Sequence, residues 1–184
     1  MSNLTGPKTI DQFGAILTGQ QVPVKATTQI WQGAMVGLLS SYAVPGGTSS
    51  SGPVQGVAQA SALGLASDGL INVNLLCGLF SIALDGTHAP TIANVGFPVY
   101  ASSDNTVSSA AADGPMAGVL VGFEATTGKA LVYIHPATNA ALTDEFAGVA
   151  ITGALSTVAD APAKAVLTSI IAALVARGAT NSTT

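Results

Sequence analysis

Between residues 54 and 134 the chain is cut into short runs: 54–60, 70–75, 78–82, 96–100, 116–121 and 130–134. Several of them alternate aliphatic residues with small or polar ones, as in Leu70-Ile71-Asn72-Val73-Asn74-Leu75 and Ala130-Leu131-Val132-Tyr133-Ile134. A period of two puts every second side chain on one face, which suits a strand with one buried side and cannot suit a helix. The breaks between runs carry turn chemistry: Ser67-Asp68-Gly69, Asp85-Gly86, Ser103-Asp104-Asn105, Asp113-Gly114 and Thr127-Gly128. Asp and Asn there accept local backbone hydrogen bonds, and Gly supplies positive φ. The expected fold is therefore mainly β: a small β-barrel or sandwich-like body, with an N-terminal arm and a C-terminal α-helix.

Those flanks are read as follows. Residues 1–21 form an arm, because Gly6-Pro7 blocks a regular start and only Ile10, Phe13, Ile16 and Leu17 offer apolar anchors. Their spacing also allows a short helix over 10–17, which Gly14 weakens; an extended arm lying on a neighbour is preferred. The β body occupies 22–136 and opens with a strand from Val22 whose Pro23 cannot donate to a ladder, so that this strand belongs at an edge. Trp31, the single tryptophan, is read as an apolar anchor of the core or of a subunit contact. Residues 45–53 are an exposed Gly/Ser/Pro loop, without the lysine of a phosphate-binding loop. Residues 137–184 form a connector followed by a helix over about 161–177. Asp160 can cap it, Pro162 lies in its first turn, Arg177 suits its negative end and Gly178 stops it. Ala163, Val166, Leu167, Ile170, Ile171, Leu174 and Val175 follow helical spacing. This helix has almost no charged face, so it packs either against the β body or against copies of itself around a threefold axis.

Composition narrows the class of protein. Charged residues make up 8% of the 184, where soluble domains carry roughly 25%, and mean hydropathy is +0.54. So few charges can hardly solvate an isolated globule. A membrane span needs about 20 consecutive apolar residues, and the longest candidate, 163–176, is shorter and contains Lys164, Thr168 and Ser169. A subunit whose surface is largely covered by neighbours accounts for the composition best. The formal net charge of −4 and the scatter of Lys8, Lys25, Lys129, Lys164 and Arg177 argue against nucleic acid. Cys77 is the only cysteine, which excludes an intrachain disulfide. The amino terminus lacks the basic-then-apolar pattern of a signal peptide, so synthesis in a reducing cytosol is expected.

Chemistry-bearing residues are few. His88 and His135 are the only candidates for a general base, and neither has His-x-x-x-His or Cys-x-x-Cys spacing. There is no Gly-x-Ser-x-Gly elbow. No catalytic, cofactor-binding or metal residue is assigned, and no cofactor is expected.

One resemblance adds to this. The succession Gly33-Ala34-Met35-Val36, Val54-Gln55-Gly56-Val57-Ala58, Gly78-Leu79-Phe80-Ser81-Ile82, Gly96-Phe97-Pro98-Val99-Tyr100-Ala101 with Asn105-Thr106-Val107-Ser108, Ala117-Gly118-Val119-Leu120 and Ala130-Leu131-Val132-Tyr133-Ile134 resembles the small capsid decoration proteins of tailed bacteriophages, also called cement or head-stabilising proteins. The likeness covers a little over half the chain. It implies a β-rich homotrimer on the outer surface of the virion, with the major capsid protein as partner and no role for nucleic acid or membrane. The arm and the segment after Pro136 depart from the compact family pattern. Phe13, Ile16, Trp31, Ile170 and Leu174 are taken as the capsid or subunit contacts. The alternative is a head fibre or a carbohydrate-binding module that recognises the host surface. A trimeric β-fold hydrolase using His88 or His135 ranks third.

Overall fold

The structure is a computed structural model that describes residues 3, 5–7 and 12–139, with the backbone alone for 12–18. Over these residues it forms β1 (Gln12–Pro23), β2 (Gln29–Ile30), β3 (Met35–Leu39), β4 (Tyr42–Pro45), β5 (Gly56–Ala58), β6 (Ala62–Leu63), β7 (Asn72–Leu84), β8 (Pro98–Ala101), β9 (Thr106–Ser108), β10 (Met116–Phe123) and β11 (Ala130–Ile134). Short 3-10 turns lie at Ile92–Asn94 and Ala111–Asp113.

β7 organises the whole. Its second half closes a five-stranded barrel in the order β7-β11-β10-β8-β9 and back to β7. The closing pair is parallel, Ala83↔Thr106 and Leu84↔Val107, while the other four pairings are antiparallel. Closure leaves the barrel strands without the unpaired edges that an open sheet presents. The first half of β7 pairs with β1 on one side and with β5 on the other, and the sheet continues through β3 to β4. Gly78 sits where β7 changes partner from β5 to β11. Its φ of 143° is open to glycine and disfavoured for any L side chain.

The sheet shared by the two halves is buried on both faces, and strand alternation divides its side chains between two cores. Met35, Val57 and Leu76 stand in register and face the barrel interior, where they join Phe80, Ile82, Val99, Val107, Leu120, Val132 and Ile134. Val36, Ala58, Val73 and Leu75 face the other way and pack with Val22, Val24, Ile30 and Ala43. The small ladder β2–β6 and the bridge between Val24 and Ala43 accompany this second core. At about 1.5–3 kcal/mol for each buried aliphatic or phenyl side chain, the two clusters supply the main drive to fold.

The mainly β fold class and the barrel body follow the sequence pattern, with local differences. The runs 70–75 and 78–82 are one strand, because Gly78 lets the backbone bend to a new partner without ending. The expected strand from Val22 stops at Pro23. Beyond it Thr27 adopts a left-handed φ of 55°, and Ala26 N donates to the Asp68 carboxylate at 2.7 Å. Residues 12–21 are extended and lie on the chain's own β7; among the described residues β1 has no other ladder partner. The helical alternative is not adopted over 12–17, since the ladder satisfies backbone groups that a helix interrupted by Gly14 would satisfy less well. The helix expected over 161–177, with Ile170 and Leu174, lies outside the described residues, as does the rest of 140–184.

After β11, residues 136–139 make one helical turn closed by Asn139 N to His135 O at 2.9 Å. The buried Asn139 amide donates to Val54 O at 2.7 Å and to Ala117 O at 2.9 Å. Ala117 is the extra residue of a bulge in β10, where Met116 pairs with Tyr100 and Gly118 with Val99. A bulge leaves its extra residue outside the ladder, and the Asn139 side chain takes up that carbonyl.

Candidate functional site

Where β7 runs out, the Asp85 side chain turns the chain. Its Oδ1 accepts from Thr87 N at 2.6 Å and from His88 N at 3.0 Å, the local bonding that aspartate offers at a turn. The Asp85 N–H continues the parallel pairing by donating to Val107 O at 2.8 Å. That pairing places the 85–88 turn beside residues 108–113. His88 Nδ1 lies 2.8 Å from Asp113 Oδ2, and the Ser108 hydroxyl donates to the same oxygen. Ser109 N holds the His88 carbonyl at 2.9 Å. Ser102, which bonds across its turn to Thr106 Oγ1 at 2.9 Å, completes the wall. Asp85, Thr87, His88, Ser102 and Asp113 together line an open cavity of about 240 Å³.

Both carboxyls are held as anions. The N–H of His88 above all, with the Thr87 N–H, the Ser102 hydroxyl and the His88 charge, lowers Asp85 against the opposing effect of burial. Asp85 is covered by its immediate neighbours, at 2% exposure, though it sits near the surface and not deep in a core. Its Oδ1 takes the two backbone bonds. Oδ2 is buried on the Ser102 side of the turn. Asp113 is lowered chiefly by the Ser108 hydroxyl and then by His88, while burial and the Asp85 charge push the other way.

This arrangement pairs an imidazole with a carboxylate, as a general base requires. The third member of a hydrolytic triad is missing among the described residues: Ser108 is bonded to Asp113 and not to the imidazole. Cys77 is buried, its thiol pushed up by desolvation, and its Sγ lies 3.4 Å from Gln55 O. His135 is occupied elsewhere, stacked on Tyr133 with ring centroids 6.3 Å apart. Among the described residues no group of three or more His, Cys, Asp and Glu is placed to hold a metal ion. No helix there is long and apolar enough to cross a membrane.

Exposed apolar side chains form a second kind of feature. Leu63, Leu65 and Leu70 cluster in sequence around β6, and Ile92, Phe97 and Val121 surround the start of β8. In the latter group Gly96 N donates to Leu120 O at 2.8 Å and Leu120 N to Phe97 O at 3.0 Å, so the two backbones adjoin. Leu120 points into the barrel, and Val121, the next residue, points out.

None of these residues coincides with the contacts expected from sequence. Phe13 and Ile16 lie on β1, where the register against β7 is irregular between Phe13 and Leu17. Trp31 is half-buried in the turn between β2 and β3, its carbonyl accepting from Ala34 N at 3.0 Å. Ile170 and Leu174 are outside the described residues. The sequence reading did single out His88, and it took Asp85 and Asp113 as turn residues, which both are. Their meeting across the parallel β7–β9 pair leaves no mark in residue spacing. Comparisons with protein-family models, with curated proteins and with solved structures find no match to this chain.

Proposed function

We propose that this chain is a structural virion protein: a capsid decoration subunit that binds the outer surface of a tailed-phage capsid as a homotrimer and stabilises the lattice, without catalysing a reaction. The observation that carries the reading is the exposure of six large hydrophobic side chains, between 49% and 77%, in a chain with 8% charged residues. Contiguous exposed apolar patches on a soluble body mark surfaces that another protein covers. A closed barrel with two buried cores suits this role, because strand pairing and packing set where its surface loops sit.

The mechanism is thermodynamic. A subunit that binds only the assembled lattice stabilises that lattice by mass action. A trimer engages several capsid subunits at once, so weak single contacts act together. Apolar interfaces supply most of the free energy, in keeping with the few charges. Light scattering of the purified chain should give the mass of a trimer, and phage capsids should melt at a higher temperature in its presence. A monodisperse monomer that leaves capsid melting unchanged overturns the reading.

A further inference from the structure

We propose that a row of carboxamides on the open sheet, just beyond the barrel, binds a neutral oligosaccharide. Strand alternation builds the row. In β7, Val73 and Leu75 turn into the second core, so Asn72, Asn74 and Leu76 stand on the opposite face, where Leu76 packs against the barrel core. Gln21 of β1 is in register with Asn74, and its Nε2 donates to Asn74 Oδ1 at 3.4 Å, which puts both side chains on that face. On the other side Val57 pairs with Leu76 and Ala58 with Leu75, and Gln59 N donates to Asn74 O at 2.9 Å, so the register continues one residue past the end of β5. Gln21, Asn74 and Gln59 therefore lie side by side across three neighbouring segments. All three are exposed, as is Asn72.

Uncharged amides gathered in one place select the ligand. A carboxamide offers two N–H donors and a carbonyl acceptor in one plane. A sugar hydroxyl both donates and accepts, so one amide can hold two neighbouring hydroxyls of a ring. Apart from the bond between Gln21 and Asn74, no hydrogen bond within the described residues occupies these four side chains. Adjacent strands lie about 4.8 Å apart, so three amides span about 10 Å, the length of two linked sugar rings. Leu76, partly exposed at the inner border, meets the C–H groups of a ring. Nucleic acid calls for clustered Lys or Arg, which the row lacks. An extended peptide pairs through its backbone with a strand edge, whereas these amides stand on a sheet face. Trp31 is placed to report on the site: Gln32 N donates to Ser61 Oγ and Gly33 N to Ala58 O, both at 2.9 Å, so its turn adjoins the bend that carries Gln59. The inference uses no step of the capsid reading, and the two can fail separately.

The test is a titration of the isotopically labelled full chain with cellohexaose, maltohexaose and chitotetraose at millimolar concentration, with glycerol at the same hydroxyl concentration as the control. Side-chain amide signals in NMR and the fluorescence of Trp31, the single tryptophan, are the two readouts. At least one of the oligosaccharides should give saturable shifts of the Gln21, Asn74 and Gln59 side-chain amides together with a saturable change in Trp31 emission, and glycerol should give neither. Asn74→Asp keeps the shape, removes the donor and should weaken binding about tenfold. Gln59→Glu should act in the same direction, and Thr126→Ala, at an exposed position in the β10–β11 turn, should leave affinity unchanged. All of these positions are exposed, so the melting temperature of each variant should stay close to that of the natural chain. The proposal is overturned by the absence of saturable shifts with all three oligosaccharides, by an equal response to glycerol, or by undiminished affinity in Asn74→Asp. It is overturned as well if Asn74→Asp lowers the mass seen by light scattering while no oligosaccharide binds, since the row is then a contact between copies.

Discussion

Replacing Asn139 tests how the barrel is sealed. Its amide nitrogen serves two buried backbone carbonyls from distant parts of the chain, Val54 at 2.7 Å and Ala117 at 2.9 Å. In Asn139→Ala both lose their donor, and a buried polar group left unsatisfied costs about 1–3 kcal/mol. The pair therefore sets an expected loss of about 2–5 kcal/mol, less whatever water entering the space restores. For a chain of this size 1 kcal/mol shifts Tm by about 2–4 °C, so the variant should melt roughly 5–15 °C lower. Asn139→Asp is the sharper variant. It keeps the shape but sets a carboxylate oxygen against two carbonyl oxygens, and an uncompensated buried charge costs more than a small void. The order of stability at neutral pH should be Asn above Ala above Asp, measured by urea unfolding followed by circular dichroism and by calorimetry. If Asn139→Ala stays within about 0.5 kcal/mol of the natural chain, or Asn139→Asp is as stable as Asn139→Ala, then the Asn139 amide does not seal the barrel.

Other outcomes follow from the same structure. Phe80→Ala, at the centre of the barrel core, should lower unfolding free energy by about 3–5 kcal/mol in urea denaturation. Gly118→Ala would drive a Cβ into the Tyr133 carbonyl oxygen of the neighbouring strand, and should destabilise by more than about 1 kcal/mol although it adds only a methyl group. The carboxyls of Asp85, Asp113 and Glu124 are lowered on folding, Glu124 chiefly by the Thr127 hydroxyl. A lowered folded pKa gives stability that is present above the unfolded value, 3.8 for Asp and 4.5 for Glu, and is lost as pH falls through the folded one. The urea midpoint should thus drop on acidification below about pH 4, and Asp113→Asn should drop less steeply. Phe97→Glu and Leu70→Glu place charge on exposed apolar positions. Each should leave the melting of the isolated body nearly unchanged while light scattering shows a smaller assembly, and unaltered mass in both would remove those patches from the subunit contacts.

Much of the body can be read from residues alone, because a strand with one buried face writes a period of two into its sequence. Val132 and Ile134 are buried while Leu131 and Tyr133 are half-exposed, as the alternation in 130–134 requires. The turns at Asp85-Gly86 and Ser103-Asp104-Asn105 were legible for the same reason, since their chemistry is local: Asp85 binds the N–H groups two and three residues ahead, and Ser103 bonds Asn105. Where both faces of a strand are buried the signal fades. Asn72 to Leu75 alternates, but Leu76, Cys77 and Leu79 form an almost continuous apolar run, and nothing in it announces that odd and even positions serve different cores.

The sequence by itself determined the class of fold, the positions of its turns and the scarcity of charge, because backbone periodicity, turn conformation and composition are properties of neighbouring residues. Only the tertiary structure decided that one strand belongs to both an open sheet and a closed barrel. It also decided that Asp85, His88 and Asp113 share a pocket, that Asn139 seals a bulge more than twenty residues away, and that Phe97 and Val121 stay outside while Phe80 goes in. These outcomes depend on which strands pair and in what register. Pairing energy comes from contacts between residues far apart in the chain, and no local pattern records it.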